Sequence, residues 1–285
     1  MKNFFILQSA TMLIFFKPKG VLKMLEIQGN VAVITGGSSG IGRALATRWV
    51  KEGGKVVIGD FNDAVFPEIT AELGADNCLC VKTNVTSEED TENLAKKAVE
   101  KFGKINLVAP CAGVIADGMC VSPDKKNPGT VKKMSLDKWN KVIGINLTGV
   151  FLTVRDCMEQ MILTNSKGAV ITISSTGSLG TAGQINYSST KAAMSVFPKV
   201  LTAEMMRRKL GAQIRINAVA PGYTATAMTA GMNQEALAAI EADIPIGRMN
   251  QAEEIVSAML ELYRNEAIAG EVLFVHGGLR LGSRG

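Results

Sequence analysis

Tyr187 and Lys191 stand four residues apart in Ile185–Leu210, a stretch that reads as a helix. Residues at that spacing share a helix face. A free phenol titrates near pH ~10 and is a poor base at neutrality. A neighbouring ammonium stabilises the phenolate and draws that pKa down, so the pair can serve as a tuned acid and base. Two hydroxyls, Ser174 and Ser175, end the apolar run Ala169–Ile173. Open α/β sheets bind ligands at the carboxyl ends of their strands, and a serine there can hydrogen-bond a substrate oxygen. Asn146 lies in Gly144-Ile145-Asn146-Leu147-Thr148-Gly149. Taken by itself, such an asparagine is as readily structural as functional.

A second group of residues suits an anion. Thr35-Gly36-Gly37-Ser38-Ser39-Gly40-Ile41-Gly42 follows the apolar run Val31–Ile34 and precedes a helix-like stretch, Arg43–Glu52. Glycines let backbone approach a phosphate, and a helix N-terminus presents unpaired N–H groups to it. The spacing is G-x-x-x-G-x-G rather than G-x-G-x-x-G, and a plain structural turn looks the same in isolation. Asp60 ends Val56-Val57-Ile58-Gly59-Asp60, about 20 residues on, where an acid can bond an adenosine ribose. A carboxylate there repels a 2′-phosphate, which favours NAD(H) while leaving NADP(H) open.

These residues need a frame that brings strand ends and helix starts together. From Leu25 onward, apolar runs alternate with helix-like stretches. The runs are Val31–Ile34, Lys55–Gly59, Cys78–Val81, Ile105–Ala109, Ala169–Ile173, Gln213–Val219 and Val272–Val275. Between them lie Arg43–Glu52, Ala64–Leu73, Glu88–Phe102, Leu136–Met161, Ile185–Leu210 and Ala252–Asn265. Near-continuous apolar strands separated by helices indicate a parallel sheet covered on both faces. Right-handed crossovers make it doubly wound. The expected fold is therefore α/β, a single Rossmann-like seven-stranded parallel sheet with helices on both faces, in one domain over 24–285. Ser122–Lys133 breaks the rhythm with two prolines and four lysines, Lys125, Lys126, Lys132 and Lys133. It reads as an exposed loop, either merely solvated or a basic patch for an acidic partner.

Composition excludes several other classes. The chain has 285 residues, 47% hydrophobic and 20% charged, with net charge +5. Its lysines are scattered, so nucleic-acid binding is not expected. Five cysteines without a C-x-x-C pair point to free thiols in a reducing cytoplasm. His276 is the only histidine, which rules out a multi-histidine metal site, and no metal is expected. It also leaves a Ser-His-Asp hydrolase one candidate and no nucleophile elbow. The apolar segment Phe4–Phe16 is about 13 residues long, short of the ~20 needed to span a bilayer. Residues 1–23 read as an extension upstream of the folded domain, with a peripheral membrane anchor as the alternative.

The series Thr35–Gly42, Asp60, Asn146, Ser174/Ser175, Tyr187-x-x-x-Lys191 and Pro221-Gly222 resembles the short-chain dehydrogenase/reductase family over Leu25–Leu281. Gln184–Ala192, Arg215–Gly222 and His276-Gly277-Gly278 resemble its bacterial 3-oxoacyl-acyl-carrier-protein reductase-like branch. The resemblance implies that Tyr187 exchanges a proton with the substrate oxygen. Lys191 would hold the nicotinamide ribose and depress the tyrosine pKa, a serine would stabilise the substrate oxygen, and Asn146 would hold a water leading from Lys191 to solvent. Thr35, Gly36, Ser38, Ser39, Gly40, Ile41 and Gly42 would hold the pyrophosphate. Asn84, Val85, Ala112 and Gly113 would border the cofactor, with Pro221, Gly222 and Thr226 at its nicotinamide end. The family's usual interval before Tyr187 points to Ser174, but strand register points to Ser175, and Ser175 is preferred as the catalytic serine because loops absorb deletions easily.

Two positions depart from the family pattern. Pro110-Cys111 stands where the family has two asparagines, and Asn84 stands where it has an aspartate. The first departure motivates an alternative to the enzyme: a cofactor-binding sensor or assembly subunit with weak catalysis. The expected substrate is a secondary alcohol or ketone, with 3-oxoacyl thioesters and an acidic acyl carrier protein as the specific candidates. The family further implies a homotetramer or homodimer built on the long helices up to and including the Tyr-Lys helix. A lid over Tyr223–Ile246, with Met228 and Met232, would give an adaptable apolar wall.

Overall fold

The computed structural model describes residues 24–226 and 233–279. The extension 1–23, the lid methionines Met228 and Met232, and the chain beyond 279 lie outside the described residues. In order, the first half contains β1 (Val31–Thr35), α1 (Gly40–Lys51), β2 (Lys55–Asp60), α2 (Phe66–Leu73), β3 (Cys78–Lys82), α3 (Glu88–Phe102) and β4 (Leu107–Pro110). Next come β5 (Val121–Pro123), β6 (Val131–Lys133), α4 (Leu136–Ile143), α5 (Gly149–Leu163), β7 (Gly168–Ile173) and α6 (Ile185–Arg207). The last elements are β8 (Ile214–Pro221), β9 (Thr224–Ala225), α7 (Gln234–Asp243), β10 (Asn250–Gln251), α8 (Ala252–Arg264) and β11 (Val272–Val275).

Seven strands form one parallel sheet in the order β3-β2-β1-β4-β7-β8-β11. The near-continuous apolar runs follow from burial on both faces. Along β1, Ala32 and Ile34 join one core while Val31 and Val33 join the other. The first core holds Leu45 and Trp49 of α1 and Met259 and Tyr263 of α8. Trp49 and Tyr263 meet edge to face, with centroids 4.8 Å apart. The second core holds Leu94 of α3, Val154 and Met161 of α5, and Met194 of α6. The chain reverses its direction of sheet growth between β1 and β4, which opens a crevice at the carboxyl ends of those strands.

One buried charge ties the sheet to its outer layer. Arg215 of β8 is 5% exposed. Its guanidinium donates to the carbonyls of Leu262, Asn265 and Ile268 at 2.9, 3.1 and 2.9 Å, and also to Tyr263. A planar cation with five donors matches the unpaired carbonyls at the C-terminal end of α8.

Two expectations are corrected. The helix expected over Leu136–Met161 is broken: a π-helical turn, Gly144–Thr148, separates α4 from α5. Glycines bracket this wider turn, and it holds the buried Asn146. The expected loop Ser122–Lys133 is an antiparallel hairpin in which Val121 faces Lys133 and Pro123 faces Val131. Asp124 closes its turn by accepting from Lys126 N at 2.9 Å and Asn127 Nδ2 at 2.8 Å, and it pairs with Lys132. Prolines and three-residue strands hide such a hairpin from any periodicity.

Candidate active site

The crevice is a cleft of about 1140 Å³. It is lined by Gly36, Ser39, Gly40, Ile41, Gly42, Asp60, Asn84, Val85, Ala112, Gly113, Ser175, Tyr187, Lys191, Pro221, Gly222 and Thr226. Thr35, Ser38 and Asn146 are not in its lining. Instead Thr35 and Asn146 lie buried behind it, and Ser38 is part-buried in the turn.

The glycine turn runs from the end of β1 to the start of α1. Gly36 has φ +66°, and a Cβ there would stand 2.7 Å from the backbone of Ala112. At Gly42 a Cβ would stand 2.4 Å from the carbonyl oxygen of Gly36. The turn therefore packs backbone on backbone against the loop after β4. Asp60 Oδ2 accepts from Ser38 N and Oδ1 from Asn62 N, both at 3.1 Å. The carboxylate is thus held by backbone and still has lone pairs facing the cleft.

Three polar atoms of this region, Thr35 Oγ1, Ser38 Oγ and Arg43 Nη1, are buried without a hydrogen-bond partner. Leaving such groups unmet costs about 1–3 kcal/mol each. The glycine turn brings bare backbone to the cleft at the N-terminus of α1, so the residues lining it fit a nucleotide diphosphate. Asn84 turns its side-chain oxygen to Thr86, accepting from N at 3.1 Å and Oγ1 at 2.8 Å.

The two serines diverge, as neighbours in a strand must. Ser174 Oγ donates to Lys191 O at 2.8 Å, lies 2.8 Å from Ser195 Oγ, and faces α6. Ser175 lines the cleft beside Tyr187 and accepts from Gly177 N at 3.0 Å.

Lys191 is 7% exposed. Its Nζ donates to Ile173 O at 2.8 Å and sits 5.5 Å from the Tyr187 ring centroid. Burial pulls the ammonium down to about 8, against a small upward pull from nearby Cys111. Burial pushes the Tyr187 phenol above its ordinary value; the neighbouring Ser175 hydroxyl works against that, and Asp117 adds to it. The depression of the tyrosine pKa expected from the Tyr-Lys spacing is therefore absent, because desolvation outweighs the aids to ionisation. Burial likewise raises the Cys111 thiol to about 12.

Asn146 is fully buried. Its Oδ1 accepts from Val114 N at 2.8 Å and its Nδ2 donates to Val114 O at 2.9 Å. The side chain is committed to the loop after β4. Pro110 stands opposite Thr35 in the ladder, beside the unmet Thr35 hydroxyl.

Three cleft or near-cleft residues escaped the sequence reading: Asp117, Gln184 and Asn186. Gln184 Nε2 donates to Asp117 Oδ2 at 2.9 Å across the mouth of the cleft. The one available signal was the position of Gln184 and Asn186 just before Tyr187, where polar side chains gather at a helix start; Asp117, far away in sequence, gave none. Among the described residues, no cluster of three or more His, Cys, Asp or Glu is placed to hold a metal ion. No described helix is long and apolar enough to cross a membrane.

Comparison with known proteins covers most of this geometry. The short chain dehydrogenase family model matches residues 30–237. The chain is 33% identical over 262 residues to 2,5-dichloro-2,5-cyclohexadiene-1,4-diol dehydrogenase LinX of Sphingobium indicum, covering 90% of this chain and 98% of that protein. It is 34% identical over 258 residues to 3-oxoacyl-[acyl-carrier-protein] reductase FabG of Salmonella typhimurium, covering 90% and 99%. Among solved structures, a short-chain dehydrogenase/reductase (glucose/ribitol dehydrogenase) from Brucella melitensis superposes with a TM-score of 0.79 at 27% identity, over 90% of this chain and 99% of that one. A 3-ketoacyl-(acyl-carrier-protein) reductase from the same organism, complexed with NADH, shares the fold at a TM-score of 0.76 and 24% identity, over 90% and 100%.

Proposed function

The chain belongs to the short chain dehydrogenase family and is an NAD(P)-dependent oxidoreductase; we propose that it interconverts a secondary alcohol and a ketone, with NAD(H) preferred. The observation that carries this reading is the gathering of Ser175, Tyr187 and Lys191 in the lining of one cleft, with Lys191 buried and its Nζ 5.5 Å from the Tyr187 ring centroid. When bound, the nicotinamide supplies or accepts the hydride.

Tyr187 gives its proton to the ketone oxygen, and Ser175 donates a hydrogen bond to the same oxygen as charge develops there. Lys191 holds the nicotinamide ribose and favours the phenolate once the proton has left. Gly36, Ser39, Gly40, Ile41, Gly42 and Asp60, which line the cleft, would hold the diphosphate and ribose, Asn84, Val85, Ala112 and Gly113 would flank them, and Pro221, Gly222 and Thr226 would border the nicotinamide. Asn146 contributes by clamping Val114, which fixes the loop between the two halves of the cleft. Asp60 supports NAD(H) over NADP(H) through repulsion of a 2′-phosphate.

The substrate class favoured is a 3-oxoacyl thioester. The lysine-bearing hairpin β5–β6 stands on the loop that lines the substrate side, and it suits an anionic carrier, whether coenzyme A or an acidic acyl carrier protein. Outward Phe151 on α5 and Val196 and Val200 on α6, about half exposed, support a homotetramer or homodimer. The five free thiols suit a cytoplasmic setting.

The test is turnover by purified protein of 3-oxoacyl thioesters and a panel of ketones and alcohols with each cofactor. Tyr187→Phe should lose at least ~10²-fold in kcat and keep nucleotide binding. Absence of any cofactor oxidation or reduction across the panel overturns the reading.

Pro110-Cys111 and the unmet Thr35 hydroxyl beside it favour one second reading, a nucleotide-binding sensor or assembly subunit. Replacing Pro110 and Cys111 together by asparagine discriminates. Activity that arises only in that variant supports the sensor, and fast wild-type turnover eliminates it.

A further inference from the structure

We infer that Asn186 is a positioning residue that fixes Tyr187 and the width of the substrate side of the cleft together. The inference rests on the reading that Tyr187 is the proton donor. Asn186 is completely buried. Its Oδ1 accepts from Tyr187 N at 2.8 Å. Its Nδ2 donates to Ala116 O at 3.1 Å and to Lys138 O at 3.3 Å. One amide therefore joins three segments: the start of α6, the loop after β4 and helix α4.

The arrangement at the start of α6 is unusual in a way that assigns this role. The first N–H groups of a helix have no partner within it, and the residue just before the helix normally supplies one. Here that residue, Gln184, makes no capping bond and directs its amide to Asp117 instead. One of the N–H groups left over belongs to Tyr187, and Asn186 meets it from inside the helix. Because the same side chain holds Ala116 and Lys138, the backbone of Tyr187 is tied to the wall carrying Ile115 and Asp117, which lines the cleft. Gly118 N to Gly183 O at 2.8 Å and Lys138 Nζ to Asp117 O at 2.8 Å brace the same junction. None of these contacts involves the Thr35–Gly42 turn or Asp60. The junction therefore governs the proton-transfer half of the site and not the cofactor half.

Asn186→Ala removes all three bonds. Asn186→Asp keeps an acceptor for Tyr187 N but offers no N–H to the two carbonyls. Each should lower kcat for ketone reduction roughly 10- to 100-fold, the scale on which misplaced reacting groups act. NADH affinity by fluorescence titration should stay within about twofold of wild type, as expected when only geometry at the reacting centre changes. Met259→Ala, a cavity in the opposite layer, is the control for stability alone. It should lower the melting temperature and leave kcat per folded molecule in place.

Where Asn186→Ala does not fold, Asn186→Ser carries the same readouts. Wild-type kcat per folded molecule in the Asn186 variants overturns the inference, as does a parallel loss of kcat and NADH affinity. A wild-type protein that turns over nothing defeats the underlying reading instead, so the two failures are distinguishable.

Discussion

Lys191 has been taken almost wholly out of water, and its ammonium gives up its proton near pH 8 in the folded chain against 10.5 ordinarily. Below about 8 both folded and unfolded chains carry the charge, and the folded one bears the penalty of burying it. Between about 8 and 10.5 only the unfolded chain holds the proton, so the penalty fades as pH rises. Lys191→Met should therefore stabilise the cofactor-free protein at pH 7, on the order of 1–3 kcal/mol, while abolishing turnover. Urea melts at pH 7 and pH 10 should show the gain shrinking at the higher pH. The raised Tyr187 phenol sets a second sign. Reduction uses the protonated form and should be flat through neutrality, whereas alcohol oxidation uses the phenolate and should climb with pH, as paired pH–rate profiles would show. At this scale the sequence was partly legible. Tyr187 and Lys191 could be paired because helical spacing is periodic. Ser175 could be preferred to Ser174 on strand register alone, whereas the engagement of Ser174 with α6 depends on packing that the sequence does not show.

The hairpin β5–β6 brings Lys125, Lys126, Lys132 and Lys133 into one short segment that follows the cleft-lining residues Ile115 and Asp117 in the chain. Of these, Lys132 is drawn to Asp124, at 3.1 Å. Replacing Lys125, Lys126 and Lys133 with glutamate should raise KM for an acyl-carrier or coenzyme A thioester about tenfold at low salt. A short uncharged ketone should show no change, and the difference should narrow as salt screens exposed charge. Equal effects on charged and uncharged substrates would count against a docking role. The elements themselves were unevenly readable. Long helices such as α3 and the buried strands announced themselves through continuous burial on both faces. The hairpin and the π-helical turn did not, since each depends on one or two residues: Asp124 closing a turn, and Asn146 bonding the distant Val114 backbone.

Across the whole molecule, the two cores and seven parallel strands follow directly from alternating apolar runs, which is why the fold was readable from end to end. Assembly was less so, because exposed apolar side chains on α5 and α6 have no period that separates them from core. Val196→Glu with Val200→Glu should shift the protein toward smaller species in sedimentation, and an unchanged distribution would remove that face from any subunit contact. Arg215→Met should cost about 3 kcal/mol or more by urea unfolding, since the carbonyls it gathers lose their donors. Its geometry also bears on synthesis. The strand that carries the guanidinium leaves the ribosome some fifty residues before the last of its carbonyls, at Ile268. At about 5–20 residues per second, that is a delay of a few seconds in which the arginine must stay wet and β8 cannot close over it. The part of the cleft lined by Pro221 and Gly222 is therefore among the last regions to be completed on the nascent chain. Truncation before Ile268 would leave the protein waiting in that state.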